Sequence, residues 1–584
     1  MQSEMRTCQN CKKDFVIEQE DFNFYEKMKV PAPTWCSECQ FMRRLTFRNQ
    51  NILYHRKNNA PNFQKDKKII SVYSEDKEVI VYNREYWWGD DWDPKDYGVD
   101  YDFSRPFFEQ IKELIKRVPW PNLMNWNAIN SDYCNYTEKN KNCYLVFGGD
   151  YNENCSYSTF NFYTRESQDL YWVEKCEFCY ECLDSQECYK VFFAQYSKSC
   201  TDCMFIYDCI NCNNCLGCIG LRNKNYCLFN KEYSREEYFK KLEGLKIYTR
   251  KGIEYVKKEF SELKIKFPHR FAHVVKSENC TGDNIVGSKN CVNCFDIGSN
   301  SKDLKNVSIT AGGFSDSRNM SHGGHNSQLV YDSLGIFAGS SNVRFSFLLS
   351  SAMDVFYSYH CPSSTNIFGC VGLKKGNYCI LNKQYTKEQY EELVPKIIQH
   401  MNDMPYIDSK GRIYKYGEFF PPELSPFCYN ETIAQEYFPL TKEQALEQGY
   451  KWKDREERNY KIDIKSEDLP DNIQDVDETI LGKVIECEHK GECNEQCTEA
   501  FKITESELQF YKRMNLPIPH LCPNCRHYQR LKQRNPLKLW HRQCMCDKTN
   551  HNHKGRCSTE FETSYSPDRP EIIYCEECYK REVY

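Results

Sequence analysis

The sequence predicts a mainly β protein: a tandem β-solenoid of about 12-residue repeats with interspersed capping helices, flanked at both ends by small cysteine modules. Three observations predict it. Val173 to Gly220 falls into four twelves, VEKCEFCYECLD, SQECYKVFFAQY, SKSCTDCMFIYD and CINCNNCLGCIG, with Cys176, Cys188, Cys200 and Cys212 at the fourth position. Self-similarity at a fixed short period is the signature of a repeat fold, in which each unit buries its apolar face against the next. The segment then ends in CIGLRNKNYCLFNKEYSREEYFKKL from Cys218, and the ending returns from Cys370 as CVGLKKGNYCILNKQYTKEQYEEL, at a constant offset of 152. Finally, both ends of the chain carry cysteine pairs at metal-ligand spacing.

Composition sets outer bounds. A chain of 584 residues has room for three to five domains. A net charge of -5 excludes wholesale polyanion binding and leaves only local basic patches. No apolar run reaches the roughly 18 residues of a membrane helix, and the opening MQSEMRTCQNCKKDF has no secretory h-region. Thirty-five cysteines without an export signal predict reduced thiols, as ligands or core residues, in a cytoplasmic protein. The 42 tyrosines and 35 phenylalanines suit stacked strands.

At the amino terminus, Cys8-Gln-Asn-Cys11 and Cys36-Ser-Glu-Cys39 make two C-x2-C knuckles, separated by the stretch from Lys12 to Trp35. A two-residue gap lets one turn present two thiolates to one ion, so four such ligands predict tetrahedral Zn2+. With Phe15, the Phe24-Tyr25 pair, Pro33 and the trailing Arg43 and Arg44, the module resembles the small bacterial treble-clef zinc-ribbon family, which implies zinc binding and little more. Next comes QFMRRLTFRNQNILYHRK, in which Arg43, Arg44, Arg48 and Arg56 interleave with Phe47 and Tyr54. That stripe reads either as a phosphate-contacting face with stacking aromatics or, more simply, as a solvated helix or an intramolecular docking surface. IISVYSEDKEVIVYNREYWW resembles half of another ribbon, with Asn83 and Tyr86 where cysteines belong, so this half-site is expected to hold no zinc. Ser104 before Arg105-Pro106 predicts a helix to about Val118.

The repeat core extends back from Val173 through a short unit of nine, Thr164 to Trp172, and three more twelves; position four is Ser167, Cys155, Cys143 and Ser131. A small residue recurring there fits the tight inward corner of a solenoid. The second segment keeps the spacing loosely, with Cys280, Cys291 and Leu304 at that position, and Ser or Gly in place of most cysteines. Cys209, Cys212, Cys215 and Cys218 approach iron–sulfur spacing. In the second copy they become Cys361, Ser364, Ile367 and Cys370, which favours small core residues. His322, His325 and His360 lie in the second segment; SHGGHN, with His322 and His325, has no thiol or acidic partner nearby and reads as a loop.

The first module returns at an offset of 486: Cys497, Cys522 and Cys525 match Cys11, Cys36 and Cys39. Asn494 stands opposite Cys8, so Cys493 or Cys487 supplies the fourth ligand, with Cys493 preferred. Arg526, Arg530, Arg534 and Arg542 form a second basic stripe. A third site takes Cys544 or Cys546 with Cys557, Cys575 and Cys578; the preferred set has Cys544, and His551 and His553 stand in reserve. Three closed Zn2+ sites are predicted. Paired ribbons around a Cys/Tyr-rich repeat also resemble large zinc-ribbon proteins of candidate-phylum bacteria.

The expected domains are a zinc-ribbon module (1–57), a degenerate ribbon and helical connector (58–127), a first solenoid segment (128–230), a helical cap and linker (231–274), a second segment (275–382), a cap and strap (383–452), a linker (453–484) and two further ribbons (485–543 and 544–584). No catalytic constellation is recognisable. The expected role is a zinc-binding scaffold or adaptor whose ends bind RNA, DNA or a ribonucleoprotein. A protein-interaction scaffold without nucleic acid is the alternative, and an iron–sulfur or redox protein is the third reading.

Overall fold

Two large sheets, each almost wholly parallel, dominate the computed structural model, which describes residues 2–61, 67–455 and 460–584. One has nine strands between Tyr144 and Glu232, the other thirteen between Val274 and Gln384. Helices and small cysteine-bearing modules cover them, so the fold is mixed α/β rather than mainly β.

The sheets are built from triplets, a period finer than the predicted twelve. From Tyr136 to Phe229 every third residue has a left-handed φ, including Tyr157, Phe160, Trp172 and Phe193. Every third residue from Leu170 to Cys218 is buried. Each triplet thus gives one inward side chain and one bend. Four triplets bring the chain back beside its own start, so Thr201 pairs with Asn213 and Asn213 with Asn225. A left-handed non-glycine residue costs about 1–2 kcal/mol, offset here because neighbouring units bend at the same place and keep their ladder bonds. The fourth position is therefore only one of four inward columns. The short unit at Thr164 is not needed: Glu153, Arg165 and Glu177 pair in steps of twelve straight through it.

Cys and Ser interchange at inward positions because both satisfy the same backbone groups. Cys200 Sγ donates to the carbonyls of Lys198 and Cys209, both at 3.4 Å. Ser185 Oγ donates to Leu183 O at 2.7 Å and accepts the Ser197 N–H at 3.2 Å. In the second sheet the left-handed step lengthens by one at Asn300, Gly313, Asn326 and Gly339, and central strands pair in steps of thirteen, as Lys302 with Ser315. This is why the spacing there looked loose.

Both sheets end in one device. The Asn230 side chain bonds Ile219 N at 2.7 Å and O at 2.8 Å, standing in for one more strand; Asn382 does the same to Val371 at 2.8 Å each way. A helix with a capping box follows each: Arg235–Gly244 after Ser234, and Lys387–Asp403 after Thr386. The helix expected after Ser104 is Phe107–Arg117, stopped at Val118. Within the stretch 453–484 expected as a linker, of which 456–459 lie outside the described residues, Leu469, Ile473, Val476 and Ile480 are buried in one cluster with the cysteine module at 485–543.

The end modules cross over. The amino-terminal pair sits on the second sheet and the carboxyl-terminal pair on the first. Phe24 and Tyr25 pack on Tyr331, at 5.8 and 5.5 Å between rings; their counterparts Phe510 and Tyr511 pack on Tyr180, at 6.1 and 5.7 Å. Trp87 stacks on His360 at 4.5 Å, and its counterpart Tyr579 donates to Asp208, the residue that the repeat offset places opposite His360 in the first sheet.

Candidate metal centres

One local plan recurs three times. A short antiparallel strand pair ends in the first two cysteines, and a helix starts at the third, with the fourth in its first turn. In the first module Glu4–Thr7 pairs with Asp14–Ile17, Cys8 and Cys11 lie in the turn between them, and Cys36 caps the helix Ser37–Leu45. In the second, Cys487 and Cys497 flank the pairing of Ile485–Glu486 with Ala500–Phe501, and Cys522 caps Pro523–Leu531. In the third, Cys544 and Cys557 lie beyond the ends of paired strands Trp540–Gln543 and Glu560–Thr563, and Cys575 caps Glu576–Val583. Starting the helix at a cysteine turns its positive end onto the thiolates.

In each set the four Sγ atoms lie within 4.8 Å of one another. Measured separations are 3.8 Å for Cys11–Cys36, 3.9 Å for Cys487–Cys525 and for Cys497–Cys522, and 4.0 Å for Cys557–Cys575. A tetrahedron with Zn–S bonds of about 2.3 Å has edges of about 3.8 Å. Four soft donors at that spacing fit Zn2+, with no place left for water or substrate. The helix-capping N–H donates to the first sulfur in every set: Cys36 to Cys8 at 3.3 Å, Cys522 to Cys487 at 3.3 Å and Cys575 to Cys544 at 3.2 Å. Hydrogen bonds from the Cys36 and Cys39 thiols hold Cys8 well below the usual thiol range, and those from Cys487, Cys497 and Cys525 do the same for Cys522. Each of these two clusters thus favours a thiolate.

This geometry changes one expected ligand. The preferred Cys493 sits 3.7 Å from Cys525 but outside the four-thiol set, in a group with His489 and Glu495. The strand pairing decides it: Cys487 follows Glu486 as Cys8 follows Thr7, while residues 488–496 form a longer excursion. The signal was readable, since Val-Ile-Glu-Cys487 is a strand ending as Met-Arg-Thr-Cys8 is. At the third site the set contains Cys544, not Cys546.

The degenerate half-site keeps the scaffold without sulfur. Asn83 caps the helix Arg84–Trp88, and its N–H donates to Asn58 Oδ1 at 3.1 Å; Asn58 Nδ2 returns a bond to Asn83 Oδ1 at 3.2 Å. Asn58 corresponds to Cys544 and Asn83 to Cys575.

The eight arginines read as phosphate contacts are instead internal. Arg43, Arg44, Arg526 and Arg530 are at most 3% exposed, Arg48, Arg56 and Arg534 are also buried, and Arg542 is half-buried. Arg43 bonds Glu418 at 3.0 Å and Asp332 at 3.1 Å, and Arg44 bonds Asp332 at 2.5 Å. Arg530 meets Asp169 at 2.6 Å and Glu181 at 3.3 Å, while Arg526 reaches Glu507 at 3.2 Å. Arg534 joins the two sheets through Asp184 at 2.9 Å and Asp296 at 2.5 Å. Arg48 lies over Tyr136, Arg56 bonds the Ser74 and Val79 carbonyls, and Arg542 those of Tyr565 and Ser566. The docking-surface reading of these stripes prevails.

Cys209 and Cys218 donate to backbone carbonyls at 3.3–3.6 Å, and burial pushes both thiols well above the usual range. Neither they nor Cys212 and Cys215 belong to any metal-competent group among the described residues. His322 is buried against Phe160 rather than displayed on a loop, and His325 is exposed; His360 is buried against Trp87.

No family model matches the chain, and no curated protein matches it. One solved chain, "Crystal structure of putative acetyltransferase from Desulfovibrio desulfuricans G20 at 2.28 A resolution", is 10% identical and covers 50% of this chain and 86% of its own. Its TM-score of 0.10 carries no argument.

Proposed function

We propose that this chain is a zinc-organised, non-enzymatic scaffold. Two β-solenoid segments, about 128–230 and 275–382, are held in fixed relation by treble-clef zinc-ribbon modules at 1–57, 485–543 and 544–584, and the partner is another protein. The observation that carries this reading is the burial of Arg43, Arg44, Arg526, Arg530 and Arg534 in ion pairs with the sheets: the end modules commit these cations to internal latching. Closed four-thiol sets support structural rather than catalytic zinc. All 35 cysteines are free, which supports a reducing, cytoplasmic setting. Among the described residues, no helix is long and apolar enough to cross a membrane.

The rival nucleic-acid reading needs those guanidiniums exposed. The test is a mobility-shift assay with RNA and DNA at low and moderate salt, beside affinity capture after nuclease treatment. A stoichiometric protein partner with no salt-dependent shift is the expected result; a shift that weakens steeply with salt overturns the reading.

A further inference from the structure

The third module holds more ligands than one ion uses. Cys546, His551, His553 and Cys578 form a second group whose ligand atoms all lie within 4.8 Å of one another, and it shares Cys578 with the Cys544, Cys557, Cys575 and Cys578 set. Cys546 is fully buried and His551 is 7% exposed, although His551 lies in the polar segment DKTNHNHKGR between the two strands. Burying an imidazole there needs a partner.

The rings are oriented as ligands. Nδ1 of His551 faces Cys546 Sγ at 3.1 Å, while its Nε2 lies 3.2 Å from Glu582. Nε2 of His553 faces Cys578 Sγ at 3.5 Å, while its Nδ1 lies 2.7 Å from the Gly555 carbonyl. Each histidine thus turns one nitrogen to a sulfur; the other nitrogen of His553 bonds a carbonyl oxygen, the outer-shell contact that fixes tautomer and ring direction at metal sites, whereas Nε2 of His551 is buried beside Glu582 without a hydrogen bond. The degenerate half-site, its counterpart, has no such set: Ala60 stands where Cys546 does.

We propose that the third module binds two divalent metal ions of zinc type. One lies among four thiolates and the other on Cys546, His551, His553 and Cys578, with the Cys578 thiolate bridging them. This rests on the reading of the four-thiol sets as zinc sites, and metal counting separates the two claims. Four zinc per full-length chain is expected. Three zinc overturns the second ion and leaves the closed sites standing; fewer than three overturns both.

Cadmium substitution of the full chain supplies an independent readout. In 113Cd NMR, two resonances, one from a four-sulfur and one from a two-sulfur, two-nitrogen environment, should be coupled through the shared sulfur. His551→Ala with His553→Ala should remove one resonance and the coupling, and lower the zinc count from four to three. Uncoupled resonances overturn the bridge.

Discussion

The Asn58–Asn83 unit and the Cys544–Cys575 unit occupy equivalent places, one docked on each sheet, and they solve one problem differently. Both need a helix start fastened to a strand pair. In the carboxyl-terminal unit the fastening is a cluster of thiols; in the amino-terminal unit it is two reciprocal hydrogen bonds between Asn58 and Asn83 and an aromatic cluster in which Trp87 meets Trp92 at 5.6 Å and Tyr82 meets Tyr86 at 5.2 Å. The comparison teaches that an ion held by these thiols would have a mechanical task. Where enough ring surface is buried, hydrogen bonds replace it.

The largest test strips the fastening itself. Structural zinc contributes about 10–16 kcal/mol in isolated fingers. Cys575→Ser with Cys578→Ser should therefore unfold residues 544–584, seen as complete loss of amide protection in hydrogen exchange, while Asn83→Ser with Tyr86→Ser leaves most protection at 67–127 intact. Equal losses would break the comparison.

Next come the ionic latches. Removing one partner of a buried pair costs about 3–5 kcal/mol, so Asp332→Ala should free the amino-terminal modules and Asp169→Ala the carboxyl-terminal ones. Selective proteolysis of the predicted end, with the opposite end protected, is the outcome to look for. Smaller is Asn58→Ala, which orphans the Asn83 N–H and should cost about 1–3 kcal/mol in urea unfolding; a neutral result would assign the unit's stability to its rings alone.

The smallest effect is a pH slope confined to the carboxyl-terminal latch. Burial pushes the Glu181 carboxyl up to about 7 from its ordinary 4.5, against the pull of Arg530. Between those values the folded state holds the proton and the unfolded state does not, so this group's contribution is fullest below about 4.5 and is lost as pH rises toward 7. Glu181→Gln should flatten melting temperature against pH over that window relative to wild type.

Much of this architecture was legible. The offset of 152 located both sheet ends because Asn230 and Asn382 do the same chemical job, and the C-x2-C pairs located the helix starts. The lost half-site was found because Asn83 aligned with Cys575. What escaped was whatever depends on distant partners. A basic–aromatic stripe looks alike whether it faces phosphate or a carboxylate hundreds of residues away, and Arg44 meets Asp332 across 288 positions. The triplet period escaped because left-handed residues are recognised by glycine or asparagine, and here tyrosine, phenylalanine and tryptophan take many of those places. Residue spacing alone favours Cys493 over Cys487, because it does not register that a strand ends just before Cys487.

The crossing of the end modules has a consequence for how the protein is made. The first module leaves the ribosome long before its seat exists: at roughly 5–20 residues per second, the 288 positions separating Arg44 from Asp332 take about 15–60 s. Meanwhile its arginines have no carboxylates to meet. A module that must wait needs stability of its own, and an ion gripped by Cys8, Cys11, Cys36 and Cys39 would supply it as soon as Cys39 has emerged. The second module emerges onto a finished sheet and never waits, so zinc scarcity during synthesis should harm the beginning of the chain before its end.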